Sequence, residues 1–261
     1  MNTYLELILP SLVLPLMLSA LWLAISRRYH ALLWVVPVIW IPSCFWLVGW
    51  PKLLPQEAND WLWLLAILSM GLQIGLSQRP RSAAMMQTGL LGLALIVMTW
   101  PVLRHQSGIG ITMELVALLL GGSALFTGAK ANHAATPSLA LAFSSGGLAL
   151  VTALGGSVLV GQLAGALASV LGAFALYELF KRFSTQGLSL SQLTPIIQIY
   201  LALLLVARVY AEIPLGSAAL LLTAPLIGLL PSGRFTALGS AASGAAALVY
   251  LLITSDSSSY Y

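Results

Sequence analysis

Charged side chains are what this sequence most conspicuously has little of. Only 7% of its 261 residues are Asp, Glu, Lys or Arg, against about 25% in an ordinary soluble domain. A surface that faces water cannot be built from so few charges, and 59% of the residues are hydrophobic. Most of the surface must therefore face lipid, which predicts an integral membrane protein.

Cysteine and catalytic motifs are also scarce. Cys44 is the single cysteine, so the chain can form neither an intrachain disulfide nor a cysteine-based metal site. The three histidines, His30, His105 and His133, fall in separate loops and cannot share one metal. The sequence contains no GxxxxGK[ST], HExxH or GxSxG motif, which excludes an ATP-driven motor in this chain and argues against an enzyme. We expect no metal and no cofactor.

Ten stretches are apolar enough to be interpreted as membrane spans, each needing roughly 17–25 residues. They cover residues 5–25, 31–50, 61–76, 84–103, 109–127, 138–154, 157–180, 193–211, 215–230 and 237–254. The sequence therefore predicts an all-α, polytopic transmembrane bundle of about ten spans, forming a single membrane domain over residues 1–261. Gly155-Gly156 makes the tightest predicted turn, between spans 6 and 7.

Basic residues in the loops predict the orientation. If the spans alternate, one side receives eight, which are Arg27, Arg28, Arg79, Arg81, Lys130, Lys181, Arg182 and Arg234, and the other receives only Lys52 and Arg104. The arginine-rich side is therefore predicted to be cytoplasmic, with both termini outside the inner membrane of a bacterium. Because Arg27 and Arg28 follow the first apolar stretch, we expect that stretch to remain as a span and not to be a cleaved signal peptide. Such scattered charges do not indicate nucleic-acid binding, despite the net charge of +4.

The positions of the tryptophans agree with the predicted spans. Most of the indoles fall at predicted span ends, namely Trp22, Trp34, Trp46, Trp50, Trp61, Trp63 and Trp100, and only Trp40 falls in the middle of a span. This distribution predicts an aromatic belt at the membrane–water interfaces.

Glycine is concentrated in residues 131–180. No charged residue lies between Lys130 and Glu178, and Gly161, Gly165 and Ser169 repeat at four-residue intervals. Small residues at this spacing let helix backbones approach closely in a bilayer. We therefore predict two tightly packed spans there, near the middle of the bundle, with the rest of the chain gathered around them.

Prolines form pairs in the first two spans: Pro10 with Pro15, and Pro37 with Pro42. Each proline lacks an N–H and clashes with the preceding turn, so we expect kinks. The carbonyl groups that lose their N–H partner are tolerated where protein groups or water donate hydrogen bonds to them, as in transporter sites. The alternative is that proline is simply commoner in membrane helices.

Ionisable residues within spans are candidate site residues. Glu114 and Arg208 are predicted at similar depth near the outer side, where they could pair and line a vestibule, or both could snorkel to the interface. Glu212 follows Arg208 by one helical turn. Glu178 precedes Lys181 and Arg182 by three and four residues, so we expect ordinary helix-surface pairs there.

Uncharged polar residues are also found within the spans. They are Gln73, Ser144, Ser145, Thr152, Gln162, Gln198 and Tyr200. They could contact a substrate or form interhelical hydrogen bonds, each worth only ~0.6 kcal/mol. We take Gln162 and Gln198, with Glu114 and Arg208, as the candidate substrate-binding residues.

Five spans before residue 130 and five after it would form an inverted repeat, an arrangement of many secondary transporters. This count resembles the drug/metabolite transporter architecture, from which the predicted outside termini depart. Architecture alone does not assign a function. From the kinked spans 1 and 2, the glycine-rich spans 6 and 7 and the polar residues Glu114 and Arg208, we predict a small-molecule secondary transporter working by alternating access, in which spans 1 and 2 move against spans 6 and 7. The alternative is a non-catalytic anchor or scaffold subunit that binds other membrane subunits. Its flat outer face could be built on span 10 from the Gly239–Ser243 and Ser240–Gly244 spacings.

Overall fold

The structure is a computed structural model that describes residues 8–26, 36–50, 55, 57–104, 109–128, 137–180, 190–228 and 236–257. The described residues are 91% helical and contain no strand. The predicted all-α fold class is therefore confirmed.

The helices coincide with the predicted spans. A π-helical turn, Leu9–Val13, precedes the first helix, and a 3-10 turn, Ala58–Trp61, precedes the third. The helices are α1 (Leu14–Ser26), α2 (Pro37–Val48), α3 (Leu62–Gly75), α4 (Pro80–Leu103), α5 (Ile109–Gly128), α6 (Pro137–Leu154), α7 (Val158–Phe180), α8 (Leu190–Tyr210), α9 (Leu215–Gly228) and α10 (Thr236–Ser257). Each predicted span overlaps one of them.

Helix length distinguishes two groups. In the described part of the chain, six helices are long and apolar enough to cross a membrane, namely α4 to α8 and α10, which suggests a multi-pass membrane protein. The others are shorter. For example, the 12 residues of α2 extend ~18 Å at 1.5 Å per residue, whereas a hydrocarbon core is ~30 Å thick. The count of ten spans and the five-plus-five repeat therefore stay predictions.

Helix α8 is the most buried of the six long helices. Every residue from Leu193 to Ala207 is buried, and 83% of the stretch Gln192–Tyr210 is buried, against 50% for α6 and 61% for α7. Its sequence is apolar around its whole circumference, as is typical of a helix surrounded by protein. The prediction placed the glycine-rich helices near the middle of the bundle, and α7 and α6 do follow α8 in buried share; the most completely buried helix, however, is α8.

The glycine-rich stretch does form a tight helix pair, α6 and α7. The turn between them is Gly155 to Ser157, and Gly156 has φ +111°, a conformation that L side chains rarely adopt. A Cβ atom on Gly161 would lie 2.9 Å from Ala153 Cβ and 3.0 Å from the carbonyl oxygen of Ala149. Only glycine permits this approach of α7 to α6.

Two prolines leave carbonyl oxygens that hydroxyl groups from other helices satisfy. Pro15 has no N–H for the carbonyl oxygen of Ser11, four residues earlier, and this oxygen accepts a hydrogen bond from Ser169 Oγ at 3.2 Å. Pro225 likewise has no N–H to donate to the carbonyl oxygen of Leu221. This oxygen accepts a hydrogen bond from the buried Tyr200 hydroxyl at 2.6 Å. Hydroxyl donors from other helices thus satisfy the carbonyl acceptors that proline leaves without an N–H partner.

The tryptophans divide by exposure. Trp50 and Trp46 at the end of α2 are 87% and 60% exposed, and Trp100 on α4 is 50% exposed; the aromatic belt itself stays a prediction. Trp40, predicted in the middle of a span, is fully buried and donates from Nε1 to the carbonyl oxygen of Leu163 on α7 at 3.0 Å. Trp34 lies outside the described residues.

Candidate functional site

Arg208 and Glu114 form an ion pair between α8 and α5. Arg208 Nη2 donates to Glu114 Oε1 at 2.8 Å, and the two side chains are 28% and 19% exposed. The predicted pairing of these residues is confirmed, while the outward-facing vestibule and the alternative of snorkelling to the interface stay predictions. Their role in binding a substrate stays a prediction.

The segment that follows α8 accepts a hydrogen bond from the side of the Arg208 guanidinium that faces away from Glu114. Arg208 Nη1 donates to the carbonyl oxygen of Ile213 at 3.1 Å, and Ile213 is fully buried. Arg208 Nε is shielded from the outside and has no hydrogen-bond partner among the described residues. Two of the three guanidinium nitrogens are therefore engaged, and the third is not.

Glu212 lies in the turn that presents Ile213. It is exposed. Its φ is +52°, and among the described residues it is the only one other than glycine with a positive φ. This left-handed conformation ends α8 after Tyr210 and turns the chain towards α9, which begins at Leu215. Glu212 therefore no longer continues the helical turn that carries Arg208.

Tyr210 attaches the same end of α8 to α4. Its hydroxyl donates to the carbonyl oxygen of Met98 at 2.7 Å. Met98 is three residues before Pro101, which lies inside α4. The Arg104 guanidinium, one turn beyond Trp100, lies 5.1 Å from the centroid of that indole ring. The ion pair is therefore fixed at an end of α8 that is itself tied to α4 and to the following turn.

A second polar cluster lies within the bundle, where α3, α4 and α8 meet. Ser69 Oγ donates to Gln87 Oε1 at 2.7 Å and lies 3.4 Å from Gln198 Oε1. Gln87 Nε2 donates to the carbonyl oxygen of Ser69 at 2.7 Å, and Gln198 Nε2 donates to that of Gln87 at 3.3 Å. All three side chains are fully buried, so the cluster is a closed interhelical network in this conformation.

Sequence reasoning included Gln198 and missed Ser69 and Gln87. A signal existed for Gln87, because it is an amide inside an apolar stretch, as Gln198 is. Ser69 could have been found from its position four residues before Gln73, on the same face of α3. Gln73 is itself buried. Gln162 is half-buried on α7, and its role in binding stays a prediction.

The predicted partners of Glu178 cannot be compared with the structure, since Lys181 and Arg182 lie outside the described residues. Glu178 Oε1 does accept a hydrogen bond from Ser138 Oγ, at the start of α6, at 2.8 Å. Among the described residues, no group of three or more His, Cys, Asp or Glu side chains is arranged to hold a metal ion.

The small residues of α10 do not form the outer face that the scaffold alternative could have used, because Ser240 and Ser243 are buried. Ser240 is fully buried and donates to the carbonyl oxygen of Ala224 on α9 at 2.7 Å. A Cβ on Gly147 of α6 would lie 3.0 Å from Gly244 Cα. The small side chains of α10 are therefore used for packing within the chain.

No protein-family model matches the chain, and comparisons with curated proteins and with solved structures returned no match. The function therefore has to be inferred from the chain's own residues.

Proposed function

We propose that the protein is a small-molecule secondary transporter that works by alternating access, with Glu114 and Arg208 as the polar residues of its site. The observation that carries the proposal is the ion pair between α5 and α8. The buried Gln198 network lies deeper on the same helix, α8, and would border the path through the bundle.

The free energy of the charges supports this proposal. A charged side chain within the hydrocarbon region costs at least ~2.5–3.5 kcal/mol on insertion scales, and such residues usually mark ion or substrate pathways. Glu114 and Arg208 are mostly shielded, at 19% and 28% exposed. A bundle that needed only to pack could use apolar residues of similar volume at both positions.

Substitution of Glu114 by glutamine tests the proposal. Glu114→Gln keeps the shape of the side chain and removes its charge, so we expect transport to be abolished while expression stays normal. The measurement is uptake of a mixed small-molecule library into proteoliposomes, read by mass spectrometry. Glu212→Gln is the matched control, because it makes the same chemical change at an exposed position outside the ion pair, and it should transport normally. A Glu114→Gln protein that transports at the wild-type rate would contradict the proposed role.

The alternative is a non-catalytic anchor or scaffold subunit of a larger membrane complex. The observation that favours it is the closure of the Ser69–Gln87–Gln198 network, since a solid, fully hydrogen-bonded core is what a scaffold requires. Purification in a gentle detergent, with mass determination, separates the two functions. A stoichiometric partner protein would favour the subunit, and a monomer or homodimer would favour the transporter.

A further inference from the structure

We infer that Arg208 is a binding site for an oxyanion group, a carboxylate or a phosphate, and that Glu114 occupies this site in the closed conformation. This inference rests on the proposed function only where it assigns the oxyanion to the transported molecule. The binding site itself follows from the geometry of the guanidinium group.

The guanidinium is only partly used. Its N–H groups form a planar fork in which Nε and the neighbouring Nη nitrogen can bind both oxygens of one carboxylate. Glu114 contacts Nη2 through Oε1 at 2.8 Å, and Nε has no hydrogen-bond partner in the described part of the chain. Glu114 therefore forms one bond where a well-placed oxyanion could form two.

The backbone fixes the fork in place. The bond from Nη1 to the carbonyl oxygen of Ile213, at 3.1 Å, holds the side of the guanidinium away from Glu114. Arg208 also stands at the end of the most buried long helix. A guanidinium that is held on one side and incompletely hydrogen-bonded on the other is preorganised for an anion, because little side-chain freedom is lost on binding.

Access requires the departure of Glu114, since Nε is shielded in this structure. Glu114 is on α5, whose stretch Gly110–Thr127 is only 22% buried within the protein, so α5 is the partner that can withdraw. An incoming oxyanion then replaces the Glu114 carboxylate on the same cation. The exchange keeps the guanidinium paired, which a largely apolar environment demands.

The oxyanion could belong to a water-soluble molecule or to an anionic lipid headgroup, because the ion pair lies near a helix end. The chemistry that Arg208 recognises is the same in both cases. Two arms of one experiment distinguish the sources. In the first, acetate, succinate or inorganic phosphate is titrated into the full-length protein in a neutral detergent, with acetamide as the uncharged control. In the second, the protein is placed in phosphatidylcholine nanodiscs with or without phosphatidylglycerol.

Thermal stability of the purified protein reports binding in both arms. We expect at least one oxyanion to stabilise the wild type and acetamide to have no effect. Glu114→Gln removes the competing carboxylate, so its half-saturating concentration should fall by about fivefold or more. Arg208→Lys keeps the charge and loses the fork, so it should bind more weakly. Glu212→Gln should bind as the wild type does.

The direction of the Glu114→Gln effect decides the inference even if Arg208→Lys fails to fold. An ion pair that is only structural would give no tighter binding, and that result overturns the inference. Failure of every oxyanion and of phosphatidylglycerol to stabilise either protein also overturns it. Oxyanion binding without any transport would leave the site intact and contradict the proposed function. Transport of a neutral solute without oxyanion binding would support the proposed function and overturn the inferred oxyanion site.

Discussion

The two helices that carry the ion pair differ most in burial among the six long helices: α8 is 83% buried within the protein and α5 only 22%. On α5, Met113, Val116 and Leu120 are 69%, 50% and 64% exposed, and lipid is the medium that such a surface suits. On α8, the run from Leu193 to Ala207 is buried throughout. The cation therefore belongs to the fixed centre of the bundle and the carboxylate to a helix held mainly from one side.

This difference indicates which of the two helices can move at the lower cost in free energy. Displacing α8 would disturb its packing against α3, α4, α5, α6, α7 and α9, whereas α5 packs against α4, α8 and α9. A close-packed interior resists small shifts, because every displaced atom loses contacts on several sides. If the ion pair opens, we expect α5 to move and α8 to stay.

The largest effect should come from enlarging a side chain at the centre. Ala202→Leu on α8 forces extra methyl groups into a fully buried position and should destabilise the protein by about 1–3 kcal/mol. Ala117→Leu makes the same change at an exposed position of α5 and should be neutral. The fraction folded in a sodium dodecyl sulfate titration measures both. Equal losses in the two variants would show that α5 is as tightly enclosed as α8.

A smaller effect is expected from deleting a polar contact. Gln198→Leu removes the α8 member of the buried network and should destabilise the protein by about 0.6 kcal/mol, and by about 1.7 kcal/mol at most, the mean and the maximum measured for interhelical hydrogen bonds in membranes. Ser123→Ala on α5 removes only a bond to the carbonyl oxygen of Leu120 in its own helix, 2.8 Å long. The same titration should show no loss for Ser123→Ala, and an unchanged Gln198→Leu protein would mean that the network contributes nothing to stability.

The smallest expected effect is a stabilisation, and it comes from a substitution on α5. A Cβ on Gly110 would meet no atom within 4 Å, so Gly110→Ala can be accommodated without strain. It should stabilise the start of α5 by about 0.5 kcal/mol, the low end of the cost of a helical glycine, because alanine loses less backbone entropy in a helix. Slower amide hydrogen exchange in residues 110–114 would be the readout. Faster exchange there would contradict the view that α5 is free on this side.

Hydropathy predicted the helices well and could not predict which one is central. The span 193–211 is as apolar as its neighbours, and lipid tails and protein interiors are equally apolar, so composition does not say which of the two surrounds a helix. Burial of α8 depends on contacts between distant parts of the chain. The glycine spacing correctly indicated the close approach of α6 and α7, yet close packing of two helices does not make them the centre.

The ion pair was predictable for an energetic reason. Charges are expensive in a span, so Glu114 and Arg208 stood out, and pairing is the usual way to lower that cost. Neutral groups such as Ser69 and Gln87 carry a smaller penalty and attract less attention in a sequence. Their meeting with Gln198 also depends on helix rotation, which span prediction does not supply. The free Nε of Arg208 could not be predicted at all, because it depends on the position of a single side chain.

The carbonyl groups of Ser11 and Leu221, each four residues before a proline, also differ in when their hydroxyl partners are synthesised. A ribosome completes Tyr200 21 residues before Leu221, so a newly synthesised α9 finds a hydroxyl donor already present. Ser11 is completed 158 residues before Ser169, so its oxygen goes without this donor while most of the chain is still being translated. The amino-terminal π-helical turn therefore gains this hydrogen bond only after Ser169 of α7 has been synthesised.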